Sequence, residues 1–548
     1  MLDIAIIDDG INEGLYCLNS LKYNIEITQN LEIITRDGYD KYSSSHATIC
    51  AAIIKKFAPE ASISSVKILN DKRRCLCKQL IKAIEWCIAK TVKIVNLSLG
   101  TIYFDDYPEL LKIINYAAKE GVIIIAACSN QRVMTYPSSC TNVIGVKTDF
   151  TYKLKGEGYI YNFYPYDGID ITSCSVFDLV KYNGGVSRSD LCNSYATPFI
   201  TAKVYEIVKG NPYITVDGVK AKLIDGSVNR KDKTEQSHLI KNVDWVEKAL
   251  LINLNNLTIQ LPKYNHNYKI VDQINLKCDC YCSAIKNIRN LLDETKRIIV
   301  EFDTVILNAN NFACVHEKCA SEDLLNEIIS RGKNVVYLDD NEINKELKLS
   351  GISEKTKIWH PSIFNYLDNP ATRSMGIPLI CVNDFMGDKL MELLDELGKK
   401  FRNDKYNVVL ASDTCIGNLF GINYSPLFNR SKFNKYDPAR LQTLCGLYNP
   451  DVIIYGINAI SKDFDYFKYK NSSFEVDIEI VITENYDEIN KFINFCWDKN
   501  SQLALLIPEK SFRDKELCTN KNITIFDLCS KSFINDLYKY IISFYNDN

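Results

Sequence analysis

An α/β fold, with parallel sheets flanked by helices in more than one unit, is what this sequence predicts. Over the first 230 or so residues, short β-rich runs alternate with helical patterns, the signature of parallel strands joined by crossover helices. The alternation restarts after Lys263 and begins again at Ile377. A chain of 548 residues also exceeds what one core fills, at about 100–200 residues per domain.

Taken in order, the strands of the first segment are Leu2 to Ile7, Ala61 to Leu69, Lys93 to Ser98, Gly121 to Ala127 and Asn142 to Val146. Between them, Cys77 to Lys90 and Tyr107 to Glu120 carry apolar residues at helical spacing, with Gly121 where a C-cap falls. The polar stretch Asn229 to Gln236 cannot bury itself and reads as an exposed excursion, so a boundary falls between there and Lys263. Beyond it, Arg297 to Phe302, Thr304 to Leu307 and Asn334 to Leu338 read as strands and Ser321 to Arg331 as a helix. The expected units are 1–255, 256–370 and 371–548.

Composition narrows the function classes. With 46% hydrophobic and 24% charged residues, 23 Gly and 14 Pro, the chain is neither collagen-like, low-complexity nor largely disordered. Against 68 Asp+Glu there are 65 Lys+Arg, a net charge of −3 that offers no basic field for nucleic acid. No apolar run reaches the roughly 18 residues that span a bilayer, so no membrane partner is expected. The first ten residues lack a basic n-region and carry acids at once, and the 20 cysteines are scattered rather than framed, which predicts reduced thiols and a cytoplasmic location.

Three features of the first segment belong together. Ile4 to Ile11 is a buried-type strand ending in Asp8-Asp9-Gly10, the kind of strand end where α/β sheets place chemistry. Ser43-Ser44-Ser45-His46-Ala47-Thr48 delivers a histidine, the only one before His238, to a helix of small apolar residues. In Asn193-Ser194-Tyr195-Ala196-Thr197-Pro198 a serine opens another helical run, with Pro198 expected in the first turn, where a missing N–H is harmless.

In this Asp, His, Ser order, with Asn96-Leu97-Ser98-Leu99-Gly100, Ala126-Ala127-Cys128-Ser129-Asn130 and Tyr136-Pro137 between, the segment resembles the subtilisin-like serine peptidases. The resemblance implies a subtilisin-like parallel sheet and a cytosolic serine endopeptidase acting through an acyl-enzyme. Ser194 is then the nucleophile, His46 its base, Asp8 the group that fixes the imidazole tautomer, and Asn130 the side-chain oxyanion donor. It also implies that Ser98, Leu99 and Gly100 pair with the substrate backbone. Leu99, Gly100, Ala127 and Cys128 would wall the first pocket, with Thr135 near its floor and a reduced rim between Asn130 and Tyr136.

Ala47 and Ser129 stand where the family has glycine, and Asn193 to Pro198 replaces the usual Gly-Thr-Ser-Met-Ala-x-Pro. Side chains added at positions of close backbone approach are expected to twist the site and slow it. All four chemical groups are nevertheless present. The Asp strand begins at residue 2, so no pro-segment removal is expected.

Met375 to Leu390 reads as a strand, loop and helix start like a P-loop, but it lacks the first Gly and has Leu390 in place of a Ser or Thr. The sequence favours a scaffold kept for its shape, and no cofactor is expected. With Asn418 to Ile422, Pro450 to Gly456 and Phe474 to Asp477, this half resembles clostridial peptide maturation system proteins, which accompany Cys-rich precursor peptides and radical-SAM maturases. That implies a precursor peptide as substrate, its leader as the part removed, and a homologous protease subunit or second copy and a radical-SAM maturase as partners. The alternative reading is a peptide-binding partner that has lost turnover; a third is a nucleotide-regulated protease. Cys278-Asp279-Cys280-Tyr281-Cys282 and Cys314 to Cys319 are spaced more like core thiols than like a zinc knuckle, so no metal is expected, and His238, His266 and His360 stand alone.

Overall fold

In the computed structural model, nine strands form the first sheet: β1 (Asp3–Asp8), β2 (Asn24–Ile27), β3 (Ile33–Thr35), β4 (Ser62–Lys67), β5 (Ile94–Leu97), β6 (Ile123–Ala127), β7 (Ile144–Thr148), β8 (Tyr159–Tyr161) and β9 (Ile171–Ser173). The structure describes residues 2–154, 156–234, 236–254, 268–295, 301–310, 312, 314, 320–342, 345–353, 355–367, 376–426, 428–429, 435–436, 439–460, 475–495, 497, 501–508 and 522–547. His266, the Val315 to Cys319 part of the second cysteine cluster, and most of the strand expected at 297–302 lie outside the described residues.

The strand order is β3-β2-β4-β1-β5-β6-β7-β9-β8, parallel throughout except for β3 and β8 at the edges. Every residue of β1 is buried, as expected of a parallel strand covered on both faces. Because side chains alternate across a strand, Ile4 and Ile6 join the apolar cluster under α1 (His46–Phe57) and α4 (Asn193–Gly210). Ala5 and Ile7 join the cluster under α2 (Cys77–Ala89) and α3 (Tyr107–Lys119) on the opposite face. A hairpin of β10 (Asp178–Val180) and β11 (Val186–Arg188) precedes α4, and α5 (Val216–Gly226) follows it.

The second sheet contains β12 (Lys248–Leu254), β13 (Lys269–Leu276), β14 (Thr304–Asn308), β15 (Asn334–Leu338) and β16 (Ile358–Trp359), all parallel in the order β13-β12-β14-β15-β16. Its opening strand β12 lies inside the stretch between Gln236 and Lys263 where the boundary is expected, but ahead of the unit limit drawn at 255. The signal was hidden because β12 is as apolar as the strands of the first sheet. Helices α6 (Tyr281–Thr295) and α7 (Ser321–Ser330) flank this sheet. The thiols of Cys278 and Cys280 accept hydrogen bonds from Asn287 Nδ2 and the Ser283 N–H at the start of α6, both at 3.4 Å.

The third sheet has β17 (Leu379–Asp384), β18 (Val408–Ser412), β19 (Asn423–Tyr424), β22 (Val452–Asn458), β23 (Ile478–Ile482), β24 (Gln502–Ile507) and β25 (Ile523–Asp527), with β20 (Phe428–Asn429) and β21 (Lys435–Tyr436) forming a separate hairpin. All seven strands are parallel, in the order β19-β18-β22-β17-β23-β24-β25. Helix α8 (Leu390–Asn403) covers one face, and α9 (Ala439–Tyr448) lies on the other. The apolar cluster beneath α9 is continuous with that beneath α2 and α3 of the first unit: Leu441, Leu444 and Leu447 share it with Met134 and Tyr136.

The P-loop-like turn runs from Asp384 at the end of β17 to the start of α8. One Asp384 oxygen accepts the Met386 and Gly387 N–H groups (2.9 and 3.0 Å), the other those of Lys389 and Leu390 (3.0 and 2.9 Å). Backbone donors that cradle a phosphate in a P-loop are here engaged by the chain's own buried carboxylate. Saturating ATP or GTP is therefore expected to leave the melting temperature unchanged, since a ligand of the native state must raise it; a reproducible rise would contradict this.

Candidate active site

Two loops and two helix starts build the site. At the end of β1, Asp8 is wholly buried; its Oδ1 accepts the Asp9 N–H at 2.8 Å and its Oδ2 lies 2.8 Å from His46 Nδ1. Gly10 follows with φ +95°, a conformation that side chains resist, and a Cβ there would lie 2.7 Å from the Arg36 guanidinium carbon. Helix α1 then begins at His46 itself. Ser45, in extended conformation, caps it by accepting the Thr48 N–H.

Sequence reading singled out Asp8 and passed over its neighbour. Asp9 accepts the N–H of His46 (3.0 Å) and of Ala47 (2.9 Å), so one carboxylate holds the helix end that carries the imidazole. The signal was present in the Asp8-Asp9 pair, but a second acid beside a buried one is indistinguishable from a solvated one without geometry. Ala47, where a glycine is usual, is fully buried with its N–H satisfied by Asp9.

Burial pulls the His46 pKa down, but the carboxylates of Asp8 and Asp9 outweigh it and hold it above the ordinary 6.5. For Asp8, burial pushes the pKa up and outweighs the stabilising contact with His46. A neutral imidazole appears only above its pKa, so hydrolysis that uses His46 as its base would have its acid limb raised in pH. Asp9→Asn is expected to move that limb of kcat/KM toward lower pH. A limb that stays in place would remove Asp9 from the electrostatics of the base.

Ser194 sits in the first turn of α4, half-buried, after an extended Cys192. The helix begins at Asn193, which corrects the expected place of Pro198: it lies beyond the first turn, where its missing N–H orphans the Ser194 carbonyl. That carbonyl accepts instead from Ser98 Oγ (2.9 Å) and the buried Cys50 thiol (3.8 Å). Cys50 faces the site one helical turn after His46, and burial beside Asp8 holds its thiol protonated. The Ser194 hydroxyl donates to the Ser98 backbone carbonyl at 3.3 Å; among the described residues, no hydrogen bond joins it to His46. Tyr195, in place of the usual Met, stacks on the His46 ring at 5.0 Å.

Asn193, another departure from the usual motif, knits the site together. Its Oδ1 accepts the Thr148 N–H from the end of β7 (2.8 Å), and its Nδ2 donates to the carbonyls of Cys128 and Ser129 (3.2 and 3.0 Å) and to the Cys128 sulfur (3.2 Å). The exposed Asn130 accepts the Asn193 N–H through Oδ1 (3.0 Å), leaving its amide N–H groups to donate. Ser129 carries no positive φ, so its backbone needs no glycine. Its N–H donates to Thr135 Oγ1 (2.9 Å).

The residues expected to meet the substrate converge on the same end of the sheet. Ser98 and Thr135 are buried, Ala127 closes β6, and the Cys128 N–H donates to the Val146 carbonyl (3.1 Å). Burial pushes the Cys128 thiol up to about 12. Leu99 is half-buried and Gly100 exposed; a Cβ on Gly100 would meet the Tyr136 carbonyl oxygen at 2.7 Å, so this segment tolerates only glycine there. Thr101 and Tyr136 then pair in an antiparallel bridge.

Comparison with known proteins gives the geometry a context. Residues 2–149 match the family model described as the subtilase family; the match includes Asp8, His46 and Asn130, and ends before Ser194. The minor extracellular protease Epr of Bacillus subtilis is 30% identical over 157 residues, covering 26% of this chain and 23% of that protein. Thermitase of Thermoactinomyces vulgaris is 25% identical over 155 residues, covering 26% of this chain and 53% of that one. The chain thus spans about a quarter to about half of the length of these curated relatives. Among solved structures, a lanthipeptide protease aligns with 43% of this chain and 81% of its own, at 16% identity and a TM-score of 0.34. The carboxy-terminal half carries no family assignment. The family match over residues 2–149 makes the amino-terminal part of this chain a subtilase domain.

Proposed function

We propose that the chain is a serine endopeptidase in which Ser194 attacks the scissile carbonyl, His46 takes its proton, and Asp8 holds the imidazole. The observation that carries the reading is the wholly buried Asp8 carboxylate 2.8 Å from His46 Nδ1, at a site that also presents Ser194 and Asn130. That contact leaves Nε2 to act as the base. Attack requires the Ser194 hydroxyl to leave the Ser98 carbonyl for His46, and that carbonyl is then free to accept a backbone N–H of the bound peptide. The tetrahedral oxyanion takes donors from the Asn130 amide and the Ser194 N–H. His46 finally returns its proton to the leaving amine, and water hydrolyses the acyl-enzyme by the same route.

Within that class, the reading is removal of the leader from a ribosomally made, post-translationally modified precursor peptide in the cytoplasm, alongside a radical-SAM maturase. Two features support it: the resemblance of the pieces around Met375 to Leu390, Asn418 to Ile422 and Pro450 to Gly456 to peptide maturation system proteins, and the 20 cysteines scattered rather than framed along the sequence, which suits a reducing compartment. A Cys-rich precursor incubated with the chain should give two product masses that sum to the substrate plus one water. A precursor left whole while a generic peptide is cut would remove the leader-specific reading and keep the peptidase.

A second reading, a peptide-binding partner without turnover, is favoured by one observation: the Ser194 hydroxyl is engaged by Ser98 rather than by His46. Peptide bound but never cleaved would select it.

A further inference from the structure

The turn expected to wall the first pocket contacts the third unit. Between Asn130 and Tyr136 the chain turns back from the end of β6 to the Thr101 bridge, and Asn130, Gln131 and Arg132 are exposed. Within its own unit this turn is fastened through Thr135, whose Oγ1 accepts the Ser129 N–H and donates to the Val133 carbonyl (2.8 Å). The next fastening comes from more than 300 residues away: the Met134 N–H donates to the Leu447 carbonyl, in the last turn of α9, at 2.7 Å. Both side chains are buried in one cluster.

Two further contacts bracket the same wall. The Tyr136 ring packs on Tyr107 at 4.3 Å, Tyr448 at the end of α9 packs against the apolar cluster that holds Tyr136, and the Tyr448 hydroxyl donates to Asn423 Oδ1 at 3.2 Å. On the other side of Thr101, Phe104 lies under the Arg402 guanidinium of α8 at 5.4 Å. The fit at Gly100 leaves no slack, since even a methyl group there would meet the Tyr136 carbonyl. A shift of α9 therefore moves Tyr136, and Tyr136 moves both Thr135 and the segment Ser98 to Gly100 that follows β5.

We infer that the third unit braces the first specificity pocket: Tyr448, together with the Leu447 carbonyl, is a positioning element that fixes the Asn130–Tyr136 wall and so sets which residue precedes the cleaved bond. This rests on the peptidase reading. An autonomous peptidase unit would close its pocket with its own loops; here the carboxy-terminal half completes it.

The test uses the full chain with Tyr448→Ala and Tyr448→Phe. It reads peptide hydrolysis over a panel varied at the residue before the cleaved bond, Ser194 labelling by a small fluorophosphonate, and backbone hydrogen exchange. In Tyr448→Ala, KM is expected to rise about tenfold or more and the residue preference to flatten, while labelling stays within about threefold, because the wall has moved and the nucleophile has not. The Met134 and Tyr136 amides should exchange faster, and Tyr448→Phe, which restores the ring, should recover most of the lost affinity. A folded Tyr448→Ala with KM, preference and exchange unchanged overturns the inference. Faster exchange with unchanged KM and preference overturns it too. Wild-type chain that cuts no peptide defeats the peptidase reading instead, and exchange at Met134 and Tyr136 then decides the brace by itself: faster supports it, unchanged overturns it.

Discussion

Ser194→Ala should lower kcat/KM for peptide hydrolysis by about 10⁶-fold, with KM nearly unchanged, because the hydroxyl makes and breaks the covalent bond while contributing little to ground-state affinity. His46→Ala should fall by a similar factor. The double variant should be scarcely worse than either single one, since a nucleophile without its base and a base without its nucleophile are equally idle. The residual rate would come from the Asn130 amide, the Ser194 N–H and peptide binding, none of which these substitutions remove. Initial rates with a chromogenic peptide, on variants that retain the wild-type melting temperature, check the prediction. Losses that simply add would mean that the two residues act apart.

Asp8→Asn carries the next largest effect, a fall of about 10⁴ in kcat with the fold retained. The Asp8 carboxylate can only accept, so His46 Nδ1 must carry the proton and Nε2 is free to receive one. An amide can donate through Nδ2, which permits the other tautomer and leaves the wrong nitrogen facing Ser194. Its neutral side chain also withdraws one of the charges that raise the His46 pKa, so the remaining activity should show its acid limb at lower pH. A drop of less than about tenfold would leave Asp8 with no orienting role.

These effects arise from residues that stood out in the sequence because their chemistry and spacing are unusual: an acid ending an apolar run, a histidine opening a small-residue helix, a serine beginning another. The strands of the first sheet were legible for the same reason, since a parallel strand covered on both faces must be apolar along its length, as β1 and β6 are. What the sequence hid was the scaffolding of those groups. Asp9 reads as one more acid until its oxygens are seen on the His46 and Ala47 N–H groups. Asn193 reads as a defect in a motif, yet its amide joins the ends of β6 and β7 to the helix that carries Ser194. Pro198 was read one turn too early because the helix start depends on the extended Cys192, which no propensity announces. Tyr195 and Cys50 are apolar to the eye of a hydrophobic pattern, but they line the imidazole and the Ser194 carbonyl.

The second and third units were legible as α/β and little further. An apolar run such as β12 fits either of two sheets, and only pairing with β13 and β14 assigns it. A P-loop-like turn fits a phosphate or a carboxylate, and only the hydrogen bonds of Asp384 decide which. The contact of Leu447 with Met134 is a backbone hydrogen bond, independent of side-chain identity and so invisible to any motif.

Peptide hydrolysis by this chain requires Ser194 to be an activated nucleophile in the folded protein. The most direct measurement is the intact mass of the purified protein after treatment with a fluorophosphonate, run beside Ser194→Ala. A single adduct is expected on the wild-type chain, none on the variant, and a labelling rate that rises with pH through the His46 titration. A folded wild-type chain that stays unlabelled, or a Ser194→Ala chain that labels equally, would contradict an activated Ser194.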